Sequence, residues 1–103
     1  MTGQKSKAGV GRDAVYRFML FVAGDEPNSR AARTNLASLC EHDLHGRARV
    51  DIVDVLEEIE TAAKHNILVT PTLLVMEPRP AVTIVGNLSD RMKLHAALRL
   101  GGN

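Results

Sequence analysis

The residues with chemical potential in this chain begin with "CEHDLHG", which places Cys40, His42, Asp43 and His45 within six positions. Thiol, imidazole and carboxylate are the ligands of a zinc site. On a helix, however, i and i+2 side chains point in different directions, and no second ligand pair follows at zinc-site spacing. Cys40 is the one cysteine in 103 residues, so an internal disulfide and a dithiol redox cycle are both excluded. Its surroundings read as those of a small buried apolar residue. His65 and His95 lack a nucleophile partner for general-base work. Glu57, Glu58 and Glu60 form a solvated first helical turn, where acids suit the dipole, and are not paired catalytic carboxylates. Gly24 and Gly86 are isolated turn glycines, outside any phosphate-binding or dinucleotide pattern. These residues specify no catalytic, cofactor or metal site.

The totals narrow the class further. The chain is long enough for one domain with one core, with 45% apolar and 24% charged residues and a net charge of +1. This near-neutral balance argues against a nucleic-acid binder held by phosphates. The three aromatic residues, Tyr16, Phe18 and Phe21, lie in one short run and make no stacking platform. No apolar stretch has the length of a membrane span, and the N-terminus lacks the apolar block of a secretory signal. A cytoplasmic protein is expected.

The elements follow from pattern. Residues 1–13 are glycine-rich and basic without periodicity and are expected to form a flexible tail, leaving 14–103 as the folded domain. "YRFMLFV" reads as a strand covered on both faces. Asn28 or Ser29 can cap a helix running to about Glu41, with Ala32, Leu36, Leu39 and Cys40 as its buried stripe. "ARVDIVDV" alternates Ala48, Val50 and Ile52 with Arg49 and Asp51, as an edge strand with one wet face would. "LEEIETAAKH" predicts a second helix with Leu56, Ile59 and Ala63 inward. "TLLVM" and "VTIVG" flank a turn containing Pro78 and Pro80. Ser89 can cap a last helix with Leu94, Ala97 and Leu98 inward, stopped by Gly101 and Gly102.

The resulting order is β-α-β-α-β-β-α, which predicts an α/β fold with a four-stranded mixed sheet and helices on both faces. That order is thioredoxin-like. Such folds carry a cis proline ahead of the third strand, where Thr70-Pro71 stands. They also carry their thiol pair where the first helix begins, because the helix N-terminus stabilises a thiolate. Here that place reads Asp25-Glu26-Pro27-Asn28, and disulfide oxidoreductase chemistry is excluded.

From about Phe18 to Leu100 the motifs resemble the KaiB family of circadian clock proteins. "VAG-x-x-PNS" (22–29), "TPTL" (70–73) and "G-x-LS-x-R-x-K" (86–93) occur in the family's order and spacing. The resemblance implies a non-enzymatic protein without cofactors that binds the ATPase KaiC and modulates its phosphorylation cycle. It implies two folds as well, a tetrameric ground state and a monomeric, thioredoxin-like, KaiC-binding state. Where the cyanobacterial pattern reads Gly-Leu-Asp, this chain has Ala97-Leu98-Arg99. Alanine in place of glycine favours a helix by roughly 1 kcal/mol, and a cation at the helix C-terminus adds about 0.3–1 kcal/mol. Together with Pro71, Ala97 and Arg99 are therefore the expected determinants of fold state, with the thioredoxin-like monomer favoured over a dimer or tetramer.

Other positions depart from the family. Ala31 and Thr34 replace its basic pair on the first helix, and Asp51 replaces a lysine on the second strand. Arg30, Arg33 and Arg49 supply charge nearby and are the candidate contacts with a KaiC-like ATPase, acting through the first helix and the sheet edge. A stress-response or chaperone-like homologue without a clock partner is the alternative reading.

Overall fold

Alternation along Tyr16–Val22 (β1) organises the molecule. Tyr16, Phe18, Leu20 and Val22 point to one face of the sheet, and Met19 and Phe21 point to the other. A computed structural model of the chain describes residues 15–100; the tail expected at 1–13 and the glycine pair at 101 and 102 lie outside the described residues. After β1 come α1 (Pro27–Ser38), a π-helical turn (Leu39–Asp43), β2 (Ala48–Asp54), α2 (Ile59–Lys64), β3 (Thr72–Glu77), β4 (Val82–Val85) and α3 (Arg91–Leu98). The strand order is β2-β1-β3-β4, with β2 parallel to β1 and the other pairings antiparallel. The mixed four-stranded sheet and the edge position of β2 are as the sequence predicts. Among the described residues no helix is long and apolar enough to cross a membrane.

The two faces are unequal. On the first, Ala32 and Leu36 of α1, Leu39 of the π-helical turn, and Leu94 and Leu98 of α3 close over Phe18, Leu20, Leu73, Val75 and Ile84. Tyr16 and Phe18 stack there with ring centroids 5.9 Å apart. On the second, only Ala62 of α2 is buried, against Phe21 and Val53. Each fully buried leucine or phenylalanine contributes about 1.5–3 kcal/mol, so the first face carries most of the stability.

The helix termini differ from the sequence reading. Pro27 occupies the first turn of α1, which makes Glu26 the cap, its Oε1 accepting from the Ser29 N–H at 3.1 Å. Asn28 and Ser29 lie inside the helix. For α3 the cap is Asp90, whose Oδ1 accepts from the Lys93 N–H at 3.0 Å; Ser89 instead donates its N–H to Asn87 Oδ1. The regular part of α1 ends at Ser38, before Glu41, because the chain loosens into the π-helical turn, and α3 ends at Leu98, before the glycines. The second helix is the largest correction. The Glu57 and Glu58 N–H groups both donate to the Asp54 carbonyl, so a turn follows β2 and α2 starts only at Ile59. Its phase then places Ala62 inward and leaves Leu56, Ile59 and Ala63 exposed.

Candidate functional site

In this architecture chemistry is expected where β1 runs into α1. There Gly24, at φ +55°, donates its N–H to Asp54 Oδ1 at 3.1 Å, and the same oxygen accepts from the Leu56 N–H at 3.0 Å. A Cβ at Gly24 would meet Leu56 Cδ1 at 3.3 Å, so both the conformation and the space favour glycine. Next to it the Ser29 hydroxyl is fully buried, accepting from the Ala23 N–H and donating to Glu26 Oε1, each at 3.1 Å. The positive end of α1 thus receives a carboxylate from its own chain. No thiol stands at 25–28.

Cys40 sits a full helix away, half-buried in the π-helical turn, and burial pushes its thiol pKa above the ordinary value. That environment makes it a poor nucleophile. The histidines scatter. His42 Nδ1 lies 3.1 Å from the Ser38 carbonyl oxygen, and His65 tilts against the Phe21 ring. His95 places Nε2 at 2.7 Å from Asp43 Oδ2, which the Arg91 guanidinium also reaches at 2.7 Å. That carboxylate ties α3 to the π-helical turn, which is a structural role. Among the described residues no three His, Cys, Asp or Glu side chains could share a metal ion.

What the surface offers is a groove and an edge. A groove of about 750 Å³ runs between α1 and β2, floored by Leu36, Ala37, Cys40, Val50 and Ile52, with Arg33, Glu41 and His45 among its walls. Val50 is 39% exposed and Ile52 43% exposed, although alternation predicts them buried. The reason is lateral reach. The buried stripe of α1 sits over β1 and β3, and the edge strand lies beyond it.

The structure separates the three candidate contact residues. Arg33 lines the groove, while Arg30, one turn earlier, is exposed and within 3.9 Å of Asp25. Arg49 belongs to the opposite face of β2, because it shares alternation with Val53, which packs against Phe21 on the α2 side. Two of the candidate arginines thus flank the α1 face and one the α2 face. Neither Arg33 nor Arg49 has an ion-pair partner among the described residues.

The residues assigned to fold state lie at opposite ends of the sheet, Pro71 beside the end of β1 and Arg99 near the β3–β4 turn. Pro71 is buried after a cis peptide bond, and its carbonyl accepts from the Gly86 N–H at 2.9 Å, extending the β3–β4 ladder at the end opposite its turn. Ala97 packs partly buried against the main core. Arg99 is not in the last helical turn; it is the residue that ends α3, left-handed at φ +58°, with Nη2 donating to the Arg79 carbonyl at 3.2 Å. Tyr16, which sequence reasoning leaves in the core, donates its hydroxyl to the Leu98 carbonyl at 3.2 Å and so satisfies the end of α3.

Residues 19–100 match the family described as KaiB domain. The chain is 39% identical over 85 residues to the "Circadian clock oscillator protein KaiB" of Prochlorococcus marinus, covering 82% of this chain and 81% of that one. It is 40% identical over 85 residues to the protein of the same name from a Picosynechococcus species, covering 82% of each. Among solved structures it is similar to a Fasciola hepatica thioredoxin, with TM-score 0.67, 19% identity, and 85% and 82% of the two chains covered. The germline-specific thioredoxin Deadhead from Drosophila gives TM-score 0.66 at 18% identity, with 85% and 82% covered. At such identities the thioredoxins share the fold alone.

Proposed function

The chain belongs to the KaiB family, and from that premise we propose that it is a non-enzymatic regulatory module that docks on a KaiC-like ATPase in the cytoplasm. The observation that carries the reading is the unoccupied β2 edge beside the α1 groove, presented by a chain that aligns with KaiB proteins over residues 19–100. Exposed Val50 and Ile52 supply apolar contact, and Arg30 and Arg33 supply charge along the same face. Arg49 lies on the α2 side of the edge strand, where it meets a partner strand that pairs along β2. The capped α1 terminus, which offers no nucleophile, supports a binding role over a catalytic one.

The binding-competent form is the thioredoxin-like domain, acting as a monomer on its partner. Pro71, Ala97 and Arg99 hold it in this form. Pro71 anchors the hairpin, Ala97 favours helix over the glycine of the cyanobacterial pattern, and Arg99 ties the end of α3 to the β3–β4 turn.

Size-exclusion chromatography of the protein with the KaiC-type ATPase of its own organism and ATP tests the reading. A protomer that moves onto the ATPase ring supports it. Arg33→Glu should weaken that binding by about fivefold, corresponding to about 1 kcal/mol for a contact flanking an apolar patch. A protein that never co-elutes with the ring refutes the partner and favours a stress-related role.

A further inference from the structure

The edge strand β2 is complementary to itself. The Tyr16 N–H donates to the Arg47 carbonyl and the Val55 N–H donates to the Val22 carbonyl, at 2.9 and 2.8 Å. Odd-numbered residues therefore direct their backbone groups toward β1 in this parallel pair. By alternation Ala48, Val50 and Ile52 direct theirs away from the sheet, where no strand is paired with them. Arg49 and Asp51, both exposed, flank Val50 on one face, and neither has a charged partner among the described residues. The partly exposed Val50 and Ile52 occupy the other face.

We propose that two copies of the chain pair antiparallel through β2, about a two-fold axis at Val50, joining two four-stranded sheets into one. In that register Val50 and its counterpart exchange both backbone hydrogen bonds. Arg49 of each copy then lies opposite Asp51 of the other, at the non-hydrogen-bonded positions where side chains approach closest. Ile52 meets Ala48 on the α1 face, so the exposed apolar residues of the two edges cover each other. The neighbouring registers are worse. An axis at Asp51 opposes two aspartates, an axis at Arg49 opposes two arginines, and an axis at Ile52 leaves both charges facing valine. Strand edges that avoid pairing carry repeated like charge, commonly lysine. Here the alternation of sign selects one register instead. Because this edge is the one assigned above to the ATPase, a consequence that rests on that reading is that the dimer and the ATPase complex exclude each other.

Sedimentation velocity on the protein alone, over a wide concentration range, tests the pairing independently of any ATPase. Wild type should show a monomer–dimer equilibrium that weakens with added salt. Arg49→Asp and Asp51→Arg should each be monomeric with unchanged circular dichroism, since both sites are exposed. An equimolar mixture of the two should dimerise again, because aspartate at 49 and 51 of one chain then faces arginine at 51 and 49 of the other. The double variant should dimerise by itself. Wild type that stays monomeric throughout overturns the proposal. So does a dimer indifferent to either single change, or single variants that stay monomeric when mixed.

Discussion

Ala97→Gly measures how firmly α3 holds the thioredoxin-like form. Ala97 is the last residue but one of the eight-residue helix α3 and packs partly buried against the main core. Glycine there costs about 1 kcal/mol in helix propensity. Removing a partly buried methyl adds about 0.5 kcal/mol, a fraction of the roughly 0.8 kcal/mol for a fully buried one. The sum, about 1.5 kcal/mol, corresponds to a fall in Tm of about 6–12 °C for a domain of this size. Ala96 is next to it on the exposed side of the same helix, so Ala96→Gly should cost the propensity alone, with a fall of about 4–8 °C. Thermal unfolding followed by circular dichroism reads both values. In a two-fold system the same 1.5 kcal/mol shifts the ratio of states about tenfold, so size-exclusion chromatography should show more of the tetramer in Ala97→Gly than in wild type. Two results refute the reasoning. One is an Ala97→Gly protein no less stable than Ala96→Gly, and the other is a lowered Tm with no change in tetramer content.

Asp54→Ala should destabilise by about 1–3 kcal/mol, because one carboxylate oxygen accepts from both the Gly24 and Leu56 N–H groups; Asp54→Asn should recover much of this in urea titration, since it keeps an acceptor. Alkaline titration should reveal two buried acids. Burial raises Cys40 above its ordinary 9.0, so the unfolded chain loses that proton first; stability is level below about pH 9 and falls above it, and Cys40→Ala removes this component. Burial likewise raises Tyr16 from 10.0, against opposing Arg47 and Arg99, so a second decline begins near pH 10 and is absent in Tyr16→Phe.

Strands and their order were legible because period-two patterns and turn residues are local. β1, β3 and β4 begin and end close to where the sequence places them, and the charge alternation of β2 identifies it as an edge. What was not legible depends on lateral position or on competition between neighbours. Val50 and Ile52 alternate like a buried face, yet whether a helix reaches over an edge strand is not encoded in the strand. The phase of α2 is set by a turn on the Asp54 carbonyl, which apolar spacing does not reveal. The Glu26 cap did carry a signal, since Pro27 is best placed in the first turn and makes its predecessor the cap. The Arg91, His95 and Asp43 cluster carried none, because it joins segments about fifty residues apart. Arg33 and Arg49 share a charge, and strand alternation alone places Arg49 on the α2 side of β2.

The start of α1 is already satisfied by the chain's own side chains. A thioredoxin-like frame supports a reactive thiolate through the partial positive charge at the start of α1. In this chain Glu26 already occupies that position, bonded to the Ser29 amide and hydroxyl, and a second anion beside it would be repelled. Restoring a cysteine at 25 or 28 would thus place a thiol in a field that disfavours its ionised form. The fixed Glu26 carboxylate also satisfies the helix terminus without a ligand. With the terminus closed, unpaired polar backbone groups remain along the edge strands β2 and β4, and the apolar surface left uncovered includes that beside β2. In the proposed docking role, binding therefore moves from the helix end to the β2 edge.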